Sequence, residues 1–84
     1  MSRLPAGVRG RRSGLLIDLA RAYAMRRMDP AAVNTLLDAE QIAPESVRYN
    51  VIVHELVREL LKREHRVSTP QLRPLAGRVG VLSL

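Results

Sequence analysis

The sequence predicts an all-α fold, and three observations carry that reading. Apolar residues recur at helical spacing over residues 14–28, 30–41 and 44–66. Asp29-Pro30, Ala43-Pro44 and Thr69-Pro70 place prolines where helices begin, a position at which the missing N–H costs nothing. The longest stretch, 44–66, has no proline or glycine after its first residue. With 84 residues the chain allows one small domain, and a domain of this size buries only about 60% of its unfolded surface.

Residues 1–12 hold Pro5, Gly7, Gly10 and four arginines without apolar periodicity, so a disordered basic arm is expected there. Ser13 is the expected N-cap of the first helix, on which Leu15, Leu16, Leu19, Ala20, Ala22 and Tyr23 make the apolar side. Arg26 and Arg27 close that helix, where cations complement its dipole. Asp29 then caps a second helix over 30–41, with Ala32, Val33, Leu36, Leu37 and Ala39 apolar. Pro44 stops it and opens a third helix over 44–66. There Arg48, Glu55, Arg58, Glu59, Lys62 and Arg63 share a solvated side, with Glu59 and Arg63 in the favourable i,i+4 order. Its apolar residues cover about 200° of arc at 100° per residue, wider than the stripe of a surface helix. This helix therefore packs on two sides, or packs on one and presents the other to a partner. A short fourth helix after Thr69-Pro70 is limited by Pro74 and Gly77, and residues 78–84 form an apolar tail.

Charge is unevenly placed. The net charge is +6, and residues 1–28 hold seven arginines against the single acid Asp18. Such a segment solubilises the chain or attracts nucleic acid or an acidic partner. The candidate nucleic-acid contacts are Arg9, Arg11, Arg12, Arg26 and Arg27. Tyr23 and Tyr49 are the sole aromatic residues, which argues against stacking platforms for single strands. Cysteine is absent, so a disulfide framework, a thiolate metal site and a catalytic thiol are excluded. No apolar run approaches the roughly 18 residues of a membrane span. Asp18 and Arg21 interrupt any signal-like segment, so a cytoplasmic location is expected.

Two short helices joined by a tight turn invite comparison with helical repeats. The tetratricopeptide pattern, W-x₂-L-G-x₂-Y…A-x₃-F…P over about 34 residues, is a helix–turn–helix. This chain reads Leu16-x₂-Leu19-Ala20-x₂-Tyr23, then Ala32-x₃-Leu36, then Ala39 and Pro44. Small residues stand where helices cross, and large apolar ones fill the space between. Residues 13–46 thus resemble one tetratricopeptide repeat, with leucine replacing an aromatic residue at two positions. Continuing the frame puts Asn50 and His54 at packing positions, so residues 47–77 read as a covering helix and a short helix. A lone repeat does not bury its faces, and about three are normally needed. The chain is therefore expected to end a longer array or to self-associate. More widely, residues 13–82 resemble the C-terminal end of actinobacterial helix-turn-helix regulators of the phage-repressor type. That resemblance implies an interaction or sensing segment of a transcriptional regulator, without its DNA-binding domain.

Candidate sites follow from these placements. Asn50 and His54 lie i,i+4 inside the apolar arc, and with Val53, Val57 and Leu61 they form the expected interface with a protein or peptide, a second copy included. As a polar pair in an apolar seam they would lower stability while fixing alignment. Ile17, Asp18, Arg21 and Met25 would line the groove that repeats of this type present to peptides, with Arg21 set to meet a carboxylate or to pair with Asp18. His65 is assigned no role. No serine has a fixed His–acid partner and no phosphate-cradling glycine loop is present, so no enzyme activity, cofactor or metal is expected. A helix-turn-helix across 33–51 is the lesser reading: Ile42 and Val47 fit its turn and recognition helix, but Glu40 and Asn50 fall where apolar residues belong.

Overall fold

A computed structural model describes residues 6–64 and 69–81, with side chains from Arg11 onward. These residues form five helices: α1 (Ala6–Met25), α2 (Asp29–Ile42), α3 (Pro44–Arg48), α4 (Val51–Lys62) and α5 (Leu72–Arg78). The fold is all-α among the described residues, as the sequence predicts. None of these helices is long and apolar enough to cross a membrane.

The first helix starts earlier than expected. It runs through Gly7 and Gly10, so residues 6–12 are helical rather than an arm. Extending a helix onto an existing turn is cheap compared with nucleating one, and arginine and alanine are good helix formers. Ser13 is consequently no cap. It lies inside the helix, wholly buried, and its Oγ has no hydrogen-bond partner among the described residues. A buried hydroxyl left unpaired costs about 1–3 kcal/mol. Ser13→Ala is therefore expected to raise stability by about 1 kcal/mol, which moves the melting temperature of a domain this size by roughly 4–8 °C. An unchanged or lower midpoint in a thermal melt would show that the hydroxyl has a partner.

The buried side of α1 is Ser13, Ile17, Ala20 and Ala24, with Leu16 and Tyr23 half-buried against the core. Leu15 and Leu19, read as part of the packed side, are exposed. Apolar residues surround most of this helix, so their spacing does not single out a face. Small residues decide it. Ala20, Ala32 and Ala39 are fully buried and Ala24 nearly so, which lets α1 and α2 approach closely and pack more extensively than any other pair.

The α1–α2 turn closes with Met28 N–H donating to Tyr23 O (2.9 Å) and Arg27 N–H to Ala24 O (3.0 Å). This double closure puts Arg27 in the left-handed region (φ 60°), where glycine is usual. Met28 occupies the cap position of α2 without a side-chain cap bond, and Asp29 is the first helical residue instead of the cap. Pro30 sits in the first turn as expected.

The expected helix over 44–66 is two helices. Pro44 does open α3, but the chain breaks at Tyr49-Asn50. Asn50 Oδ1 accepts from Ile52 N–H (2.8 Å) and Val53 N–H (3.3 Å), capping α4. The break redistributes the wide apolar arc. Val47 on α3 and Val53, Leu56, Val57 and Leu60 on α4 all reach the core, while Tyr49, Val51 and Ile52 stay exposed. Helix α4 ends at Lys62, and the stretch 65–68, where the longer helix and His65 fall, lies outside the described residues.

Before α5, Leu72 N–H donates to Thr69 O (3.1 Å), and Gln71 sits at φ −90°, ψ −2°. That is a type I turn with Pro70 at its favoured second position. Thr69-Pro70 therefore makes the turn, and the helix opens two residues later. Pro74 then falls in the first turn of α5, where no N–H is required. Gly80 (φ 77°) ends this helix, with Val81 N–H donating to Ala76 O (2.9 Å) and Gly80 N–H to Gly77 O (3.2 Å). Leu72, Leu75, Ala76 and Val79 are buried, and Val81 packs on the same core. Of the expected apolar tail, residues 82–84 lie outside the described residues. Arg78 on α5 grips Glu40 on α2 with both its Nε (2.9 Å) and Nη2 (2.9 Å).

Candidate interaction site

Arg63 makes the main ionic contact around the site, and it is not local. Arg63, just past α4, donates from Nε to Asp29 Oδ2 (2.9 Å) and from Nη2 to Asp29 Oδ1 (3.0 Å). The same Nη2 also donates to Ala24 O (2.7 Å), a C-terminal carbonyl of α1. Glu59, the partner expected from i,i+4 spacing, is at 3.8 Å and more exposed. The Asp29 carboxylate bonded to it holds the Arg63 guanidinium above its usual range, against the opposing effect of burial. One side chain thus ties the end of α4 to the α1–α2 turn.

Two clefts open between α1 and α4. The larger, of 470 Å³, is lined by Ala24, Met25, Ile52 and Leu56 together with Arg21, Arg27 and Glu55. The smaller, of 370 Å³, is bordered by Gly14, Ile17, Asp18 and Ile52. The structure therefore divides the expected groove residues between two clefts. Met25 is 83% exposed and Arg21 is exposed, whereas Ile17 is covered. No ion pair joins Asp18 to Arg21, so both charges face solvent.

The expected interface on the third helix is corrected. Val53 and Val57 have no exposed surface, and Leu61 packs against the core, so these three are monomer core rather than a seam. Asn50 is the α4 cap, and His54 Nε2–H donates to Arg48 O across the break. The pair holds a turn. The double change Asn50→Leu with His54→Leu is therefore expected to lower stability by about 1–2 kcal/mol, the worth of a cap, and not to raise it. Light scattering beside a thermal melt is the check, and a more stable variant with a spread of masses would restore the seam.

Arg11, Arg12, Arg26 and Arg27 are exposed, and none has an acidic partner among the described residues. The side chain of Arg9 lies outside those residues. Arg12 and Arg26 stand about 21 Å apart along the helix at 1.5 Å per residue, with Leu15 and Leu19 between, so they form two basic ends rather than one patch. No group of three His, Cys, Asp or Glu side chains that could hold a metal occurs among the described residues. No protein-family model, characterised protein or solved structure matches this chain.

Proposed function

We propose that these residues form a protein–protein interaction segment, a tetratricopeptide-like hairpin closed by its own covering helices, serving the sensing part of a cytoplasmic transcriptional regulator. One observation carries the reading. The core closes without Leu15 (65% exposed), Leu19 (44%) and Met25 (83%), which remain at the surface of α1. Large apolar side chains grouped on one helix mark a contact surface more often than chance exposure does. The small residues at the α1–α2 crossing support the repeat-like hairpin, and the resemblance to helix-turn-helix regulators supplies the cellular role.

The unpaired arginines of α1 favour a second reading, a small basic nucleic-acid-binding protein. Fluorescence anisotropy with labelled duplex DNA and RNA separates the two. Phosphate contacts of the number available here make affinity fall steeply between about 50 and 200 mM salt. The interaction reading expects only weak binding that vanishes at the higher salt. Saturable binding that persists there would replace it.

A further inference from the structure

The arrangement of α1 goes further than the presence of exposed leucines. Arg12, Leu15, Leu19, Ala22 and Arg26 follow one another at alternating steps of three and four residues. That is the spacing of a seam that receives a second helix side by side. All five are exposed, while the opposite side of the same helix is already filled by Ile17, Ala20 and Ala24. Half-buried Leu16 and Tyr23 border the row on one side, and exposed Arg11, Asp18 and Met25 border it on the other. The row is thus an apolar strip with a cation at each end, flanked by the opposite charges of Arg11 and Asp18.

The charges decide what covers it. Arg63, Arg73 and Arg78 each have a carboxylate partner, but Arg11, Arg12 and Arg26 have none among the described residues. A second copy meeting this face about a two-fold axis would set Arg12 and Arg26 against arginines, in either helix direction, and like charges so placed repel. A nucleic acid would bring phosphates against both ends but offer nothing apolar to the leucines between. A bilayer surface usually takes a wider apolar face with aromatic residues, and this chain has no Trp or Phe. We propose that the outer face of α1 docks a helix of another protein that carries small and aliphatic residues along one stripe and carboxylates at its ends. This rests on the interaction reading above and adds the surface and the partner's chemistry.

The test uses the full chain and two labelled helical peptides of about 18 residues, built on a heptad stripe of Leu and Ala. One carries Glu at both ends and the other Lys. The acidic peptide is expected to bind at least about tenfold more tightly than its twin. Leu19→Gln should weaken it by about tenfold, since an exposed side chain at the centre of the seam is removed without touching the core. Arg12→Glu combined with Arg26→Glu should turn the preference to the Lys peptide. Equal binding of the two peptides, or binding of neither, overturns the proposal. Binding lost with Ile52→Gln and not with Leu19→Gln also overturns it, but places the partner in the α1–α4 cleft and leaves the interaction reading standing. Sedimentation of the chain alone and with anionic vesicles completes the set. Self-association or vesicle binding that Leu19→Gln abolishes would assign the face to a second copy or to a membrane, and overturn the proposal in either case.

Discussion

Arg63→Ala is expected to lower the unfolding free energy by about 2–3 kcal/mol, the range for charge-assisted hydrogen bonds that are partly buried. The Arg63 and Asp29 side chains are only 19% and 13% exposed, so water replaces the lost partner poorly. The substitution also removes one of the two donors on the Ala24 carbonyl, leaving Arg27 N–H alone, at a turn where Arg27 already holds a left-handed conformation, itself unfavourable by about 1–2 kcal/mol. Arg63→Lys should fall between, because a single ammonium cannot grip both carboxylate oxygens and the carbonyl in one plane. Arg58→Ala, on the exposed side of α4, should stay within about 0.5 kcal/mol. Urea unfolding of the three variants is the measurement, and equal midpoints for Arg63→Ala and Arg58→Ala would remove the clamp from the account. The raised pKa of Arg63 gives the sign with pH. Its contribution is fully present below the ordinary arginine value and is lost only as pH rises through the higher folded value, so no loss from this group is expected near neutrality.

The fold class was legible because prolines punctuate this chain clearly. Pro30 and Pro44 sit in first turns, as a residue without an N–H should, and they bound α2 on both sides. The break at Tyr49-Asn50 was missed, although a signal stood there. Asn50 precedes Val51, Ile52 and Val53, an N-capping residue before three β-branched ones that stiffen poorly into a helix middle. Counting apolar arc across that break merged two helices into one face; the break sends Val47, Val53, Leu56, Val57 and Leu60 to the core and leaves Tyr49, Val51 and Ile52 exposed. The buried side of α1 was illegible for a different reason. Leu15, Leu16, Ile17 and Leu19 surround it, and only the neighbouring helix selects which of them to bury. The Arg63–Asp29 clamp joins residues 34 apart, and a pairing of that kind leaves no periodic trace. The candidate site is divided in the same way. Exposed Arg21 and Met25 were readable as groove residues, but Arg27, Ile52 and Glu55 join them only through tertiary packing.

Ala20→Leu is expected to be strongly destabilising, by about 1–3 kcal/mol and toward the upper end, through overpacking. Ala20 is fully buried, in the core cluster that also holds Ala32, Leu36 and Ala39. Interiors of this kind are packed to crystal density, so three added carbons must displace something. The two helices must separate, which loosens the contact that carries most of the fold. Two controls isolate the cause. Ala22→Leu adds the same atoms two residues along the same helix, at an exposed position, and should shift the midpoint by no more than about 0.5 kcal/mol. Arg48→Ala, at an exposed position of α3, should be equally mild. In a domain this small each kcal/mol moves the melting temperature by roughly 4–8 °C, so Ala20→Leu separates clearly from both in a thermal melt. If Ala22→Leu melted as low as Ala20→Leu, α1 would have to be rotated about its axis. Leu15 and Leu19 would then turn inward, and the outer seam would no longer be free for a partner.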